Sequence, residues 1–182
     1  MPQPADDRST ADPPVVTAIH VAPGRRLTMR AVDSVVAEAG VGLVGDRYHG
    51  TRHRHVTVQS AEQLAEAAER LGADVPPAGT RRNLTVSHGR VVSTPGARAR
   101  VGEVLLEVVR VAAPCRILDD EIGPGVAAAL HDRAGTVFRV VEGGRIAVGD
   151  RYEELPVDPQ EAARRAAASR SAAAAPPHRR LP

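Results

Sequence analysis

GARARVGEVLLEVVRV, residues 96–111, is the stretch whose reading decides the fold. It resolves into two strands joined at Gly102-Glu103. Residues 104–111 are almost continuously apolar, the pattern of a strand covered on both faces, so that strand is expected at the centre of a sheet. Working outward, APCRILDDEIGPG (113–125) reads as a loop and Val126–His131 as a short helix. Thr136–Glu142, Gly143-Gly144 and Arg145–Val148 read as a hairpin, since Gly-Gly tolerates the positive φ of a tight turn. Gly149-Asp150-Arg151-Tyr152 reads as a turn ending it.

Upstream, Val15–Val21 is a strand rich in β-branched residues, and 28–44 fits an extended stretch better than a helix. GLVGDRYHG (42–50) is a glycine-punctuated loop. HVTVQ (55–59) alternates as a strand, with Val56 and Val58 on one face and His55, Thr57 and Gln59 on the other. Ser60 and Gln63 form a capping box in which each side chain is expected to reach a free backbone N–H of the first helical turn. Leu64, Ala67, Ala68 and Leu71 then make one apolar stripe, and Gly72 supplies the left-handed terminator, so 60–71 is helical. Arg82–Ser87 is a further strand. Many short strands with two or so short helices predict a mostly β, barrel-like fold. Residues 1–14 read as a disordered lead, 15–155 as one domain, and the Ala/Arg/Pro-rich 156–182 as a disordered tail.

Composition narrows the function. The chain has 182 residues, 42% of them hydrophobic but only 2% aromatic, so its core must be built from Val, Leu, Ile and Ala. No apolar run approaches the ~20 residues that span a bilayer, and the acidic, Pro-rich start is no secretory signal. One cysteine excludes an intrachain disulfide and a Cys-rich zinc site, which makes a reducing cytoplasm the expected compartment. The formal net charge of +2 leaves 15–155 nearly neutral, against a broad nucleic-acid face, and only Tyr48, Phe138 and Tyr152 offer rings for stacking on bases. There is no lysine, so no side chain can form a Schiff base with a carbonyl substrate or with pyridoxal phosphate.

Four groups of residues can carry chemistry. Cys115, in A-P-C-R after the most apolar strand, is flanked by Arg116, which favours thiolate, the form that acts as nucleophile or soft metal ligand; the alternative is a small buried hydrophobe. Arg81, Arg82 and Asn83 at a strand start suit a phosphate or other oxyanion, or form a solvated strand end. Asp46 beside Arg47, with Tyr48 and His49, is a turn or a self-satisfied pair that orients Arg47 toward a ligand. His49, His53 and His55 are more consistent with basic groups beside an anion than with zinc, for want of nearby carboxylate or cysteine in sequence. The acidic run Asp119, Asp120 and Glu121 reads as a solvated loop ahead of a general acid.

In this order and spacing, GLVGDRYHG, VTVQSAEQL, TRRNLTVS, PGARARVGEVLLEVVRVAAPCRILDD and VEGGRIAVGD resemble the MOSC domain, the module named for the C-terminus of molybdenum cofactor sulfurase. The resemblance spans roughly 15–152 and is to the short, stand-alone bacterial form. Where longer stand-alone members have His-Gly-Gly after GDR, this chain has His49-Gly50-Thr51. The resemblance implies a mostly β barrel-like domain associated with the molybdenum cofactor (molybdopterin). Cys115 would either bind molybdenum through its thiolate or carry sulfur as a persulfide, and Arg81, Arg82 and Asn83 would lie near the pterin phosphate, with Arg47 helping to hold it. Oxygen-atom chemistry, for instance reduction of N-hydroxylated compounds, would draw electrons from a separate electron-transfer protein, and a persulfide would come from a cysteine desulfurase. Pyridoxal phosphate, linked to the family through a separate sulfurase domain, is disfavoured here. A non-catalytic binding domain with an inert Cys115 is the third expectation.

Overall fold

The computed structural model describes residues 12–156, so the expected disordered lead and tail fall almost wholly outside the described residues. The chain is mostly β. In order, β1 (Val16–Val21), β2 (Arg30–Val32), β3 (Ser34–Glu38), β4 (Gly42–Leu43) and β5 (Val56–Ser60) lead into α1 (Ala61–Leu71). Then follow β6 (Leu84–Val86), β7 (Arg98–Val101), β8 (Val104–Val111), α2 (Ile117–Glu121), α3 (Val126–Ala129), β9 (Thr136–Glu142), β10 (Gly144–Ala147) and β11 (Tyr152–Glu154).

Eight strands form one sheet in the order β11-β7-β8-β9-β5-β6-β1-β2, and β10-β3-β4 form a second. The apolar strand β8 is interior, paired with β7 on one side and β9 on the other. All pairings in the large sheet are antiparallel except β5 with β6, where α1 provides the crossover that parallel strands require. The large sheet curls without closing. Its edges, β11 and β2, do not pair with each other, but an isolated Val15–Arg151 bridge and a Val16 N–H to Asp150 O bond of 2.8 Å bring β11 against the start of β1. Inside the curl sits the main core, including Ile19, Leu43, Leu84, Leu106, Phe138 and Ile146. A second apolar cluster joins the three helices through Leu64, Ala67, Leu118, Val126 and Leu130.

Local chemistry explains the element ends. Ser60 Oγ accepts from Gln63 N–H at 3.5 Å, and Gly72, at φ 69°, donates to Ala68 O at 2.8 Å. The reciprocal half of the expected capping box is not made. Ser60 closes β5 opposite Val86 of β6, so its backbone lies in the sheet, and the Gln63 amide makes no bond back to it.

Three expectations need correction. The 113–125 stretch is not all loop, because Ile117–Glu121 forms α2 around buried Leu118; a single turn is too short to show a helical period. The 136–148 hairpin does not exist. Only Gly143 separates β9 from β10, too little chain for strands to fold back on one another, and β10 pairs with β3. A Cβ at Gly143 would stand 2.7 Å from Ala37 O, so the strand changes sheets where only glycine lets the backbones approach. Finally, Asp150 does make a turn, Oδ2 accepting from Ala147 N–H at 2.8 Å, but it delivers the chain to β11 beside β7.

Candidate functional site

The connections 44–55, 73–83 and 112–116 converge beside the helical cluster. Cys115 lies between β8 and α2 as a free, exposed thiol, its carbonyl accepting from Leu118 N–H at 2.9 Å. The loop before it is held by Arg82. That guanidinium donates through Nη2 to Ala112 O (3.2 Å) and Ala113 O (3.3 Å), and through Nε to Ala134 O (2.9 Å). Arg82 is 6% exposed. Burial, helped by Arg54 and Arg47, pulls its pKa down to about 10, while Cys115 and Tyr48 push it up. It stays charged at neutral pH.

Arg81 adopts φ 60°, sparsely populated for a side-chain-bearing residue, and its Nη1 pairs with Glu121 Oε1 at 3.2 Å. One member of the acidic run thus ties α2 to the 79–83 segment. A second, Asp119, accepts from Ala127 N–H at 2.9 Å, and Asp120 is exposed. Gly79 presses the same segment onto α2, since a Cβ there would stand 2.7 Å from Ile122 Cγ1.

Asp46 and Arg47 form a buried pair at 3.3 Å, their side chains 0% and 3% exposed. Asp46 also accepts from Ala22 N–H and Tyr48 N–H, both at 3.1 Å. Arg47 is oriented, as a self-satisfied pair would orient it, but toward protein: Nη2 donates to Arg81 O at 2.8 Å and Nη1 to Met29 Sδ at 3.0 Å. Asn83 is likewise turned inward. Its Oδ1 accepts from Thr57 N–H and Oγ, and its Nδ2 donates to His20 O, joining β5 to β1. His49 is exposed and 2.9 Å from Glu38 Oε2, and Arg116 is exposed.

The histidines do not converge. His53 is exposed, while His55 is buried with Nε2–H donating to Thr51 O at 2.8 Å and Nδ1 accepting from Val140 N–H at 3.0 Å. Burial lowers its pKa. Among the described residues no three His, Cys, Asp or Glu side chains are grouped to hold a metal ion.

Arg54, not singled out from the sequence, completes the cluster. Its Cζ lies 4.0 Å from the Tyr48 ring centroid, with Arg47 at 4.7 Å from the same ring. Its Nε is buried with no hydrogen-bond partner, and burial lowers its pKa, with Arg47 and Arg110 adding to the effect and Tyr48 and Asp46 opposing it. The available signal was parity: residue 54 is in phase with the buried Val56 and Val58. Arg54, Arg82 and Arg110 have no carboxylate partner among the described residues, and Arg110 donates only to Val111 O. Guanidiniums without a carboxylate partner, within Coulomb reach of one another and of an accessible thiol, are groups whose chemistry suits an anion beside a soft donor.

A mostly β chain with its one exposed thiol set near arginines in this way matches a known family. The MOSC domain family matches residues 45–153, and the chain belongs to it. The fold is also that of YuaD from Bacillus subtilis (19% identity, TM-score 0.71, covering 81% of this chain and 98% of that one). It is shared with YiiM from Geobacillus stearothermophilus (18%, 0.65, 79% and 76%) and YiiM from Escherichia coli (19%, 0.60, 79% and 71%). No curated protein matches the chain. Among the described residues no helix is long and apolar enough to cross a membrane.

Proposed function

We propose that this chain binds a phosphate-bearing molybdenum cofactor, with the Cys115 thiolate as the protein's ligand to the metal and Arg54, Arg82 and Arg110 facing the phosphate. The observation that carries this reading is that Arg54, Arg82 and Arg110 have no carboxylate partner among the described residues and that Arg82 lies within Coulomb reach of the exposed Cys115 thiol. A phosphate oxygen is the charge-assisted acceptor that guanidiniums without a carboxylate partner match. A thiolate is the soft donor that suits the metal.

When bound, the cofactor supplies oxygen-atom chemistry, which we assign to reduction of N-hydroxylated compounds using electrons from a separate protein. The chain's own residues do the rest. Arg82 fixes the Cys115 loop through three carbonyls. The Asp46–Arg47 pair holds the Arg81 backbone in place. Glu121 engages Arg81, so the phosphate falls to the arginines that lack a carboxylate. Asn83 acts one step further back, by locking strand ends.

Metal and pterin analysis of protein purified from a molybdenum-replete host tests this. Stoichiometric molybdenum and pterin are expected, with Cys115→Ser losing metal and Arg54→Met losing both. Well-folded protein free of molybdenum and pterin would overturn the reading. The openness of Cys115, exposed and with no side-chain hydrogen bond, favours one alternative, a sulfur carrier. In that case a cysteine desulfurase supplied with cysteine adds one sulfur atom to the wild type, by mass, and none to Cys115→Ser.

A further inference from the structure

Behind the thiol loop lies a second concavity. A groove of about 400 Å³ opens between the start of α1, the segment 90–94 and the adjoining ends of β8 and β9. Gly135, one of its lining residues, accepts from Ala112 N–H, three residues before Cys115, at 2.9 Å. None of its lining residues belongs to the arginine cluster.

Two of the residues that line it, Gln63 and Thr136, are 5% and 1% exposed. Neither side chain has a hydrogen-bond partner among the described residues, and the bond of Gln63 to Ser60 Oγ is made by its backbone N–H. Neither is sealed, because the fully enclosed partnerless side-chain atoms are His20 Nδ1 and Arg54 Nε alone among the described residues. The amide and the hydroxyl therefore keep a narrow opening, and the groove is that opening. The capping box that the sequence suggests would have used the Gln63 amide, but Ser60 is held in β5 and the amide is left over.

The donor set defines a ligand class. A primary amide presents a donor and an acceptor side by side, and its complement is another amide or lactam edge. The Thr136 hydroxyl adds one group that can donate or accept. The floor holds no charge, so a charged group brought there would be desolvated without compensation. The charged lining residues, Arg90, Asp132 and Glu154, are all exposed and number two carboxylates to one guanidinium, so the groove carries no net positive charge to draw an anion. Val91 and half-exposed Val111 give apolar wall. The volume is at the small end for a ligand site.

We propose that this groove binds a small uncharged heterocycle that sets an amide or lactam edge against Gln63 and Thr136 and its apolar face against Val91 and Val111. The site is independent of the cofactor reading, since it uses neither Cys115 nor the arginines.

Uracil, which carries the required edge, is the probe, titrated into the isotope-labelled full chain and followed by NMR. Shifts confined to the Gln63 side-chain amide, the 90–94 backbone and Thr136 are expected, with a dissociation constant of about 1 mM or tighter. Orotate, the same ring with a carboxylate, should bind about tenfold more weakly. Thr136→Val, which keeps shape and strand propensity, and Gln63→Met should each weaken uracil binding about fivefold or more, whereas Cys115→Ser should leave it unchanged. Absence of shifts, shifts elsewhere, or unchanged affinity in Thr136→Val would overturn the site, and orotate binding as tightly as uracil would overturn the uncharged class.

Discussion

Two sets of arginines divide this molecule. On the face of the large sheet, Arg98, Glu107 and Arg139 lie in register across β7, β8 and β9, and the buried Glu107 carboxylate takes Arg98 Nε at 3.2 Å and Arg139 Nη2. Around Cys115, Arg54, Arg82 and Arg110 share no carboxylate among the described residues, and Arg54 holds a buried Nε without a partner. The same side chain is neutralised by a carboxylate in the first setting and has no carboxylate partner in the second. A compensated guanidinium has spent its charge on the fold; an uncompensated one raises the energy of the empty site and lowers it on binding an anion.

That contrast can be broken at several points. The largest effect is expected from Asp46→Ala, which strands the buried Arg47 charge and two backbone N–H groups; a loss of about 3–5 kcal/mol should appear in urea unfolding, and a loss below that range would show that the pair is not structural. Glu107→Gln removes the charge from the sheet triad, and because both arginines are partly exposed it should cost only about 1–2 kcal/mol, with cofactor retention unchanged. Arg54→Met is the opposite case. Stability should hold within about 0.5 kcal/mol, since removing the cation from the Tyr48 ring is offset by relief of a desolvated N–H, while affinity for the phosphate-bearing cofactor should fall about tenfold or more. A destabilised Arg54→Met that still binds would erase the distinction.

The smallest effect is one of pH. Burial lowers the pKa of His55 and of His20. The unfolded chain therefore takes up these protons first, so their contribution is complete above the ordinary histidine value of about 6.5 and is lost as pH falls through that value toward the folded one. Urea midpoints should drop between about pH 7 and about pH 5, with both rings titrating below the ordinary histidine value of about 6.5 by NMR. A flat profile would mean that neither ring is sealed from solvent.

Much of this was legible because it is written locally. The β7–β8 pair declares itself in 96–111, and α1 in its cap, its stripe and Gly72. What failed was non-local. The strand pattern after Thr136 is real, but which strand Arg145–Ala147 pairs with depends on the approach of Gly143 to Ala37, residues far apart in sequence. At the site, Cys115 could be found as the chain's single thiol. Asn83 and Arg47 could be flagged by type, but that they face inward, onto Thr57, His20 O and Arg81 O, is a property of three loops meeting. Arg54 escaped notice because its phase with Val56 gains meaning only once Tyr48 and Arg82 are seen beside it.

By itself the sequence determined what alternation, capping and composition control: a mostly β chain, one long apolar strand followed by a lone cysteine, and no lysine for imine chemistry. Tertiary structure alone decided which arginines are neutralised and which are not, and where the Gln63 amide points. Charge compensation and hydrogen-bond partnership are set by distances of a few ångströms between groups tens of residues apart, and no local pattern encodes those distances.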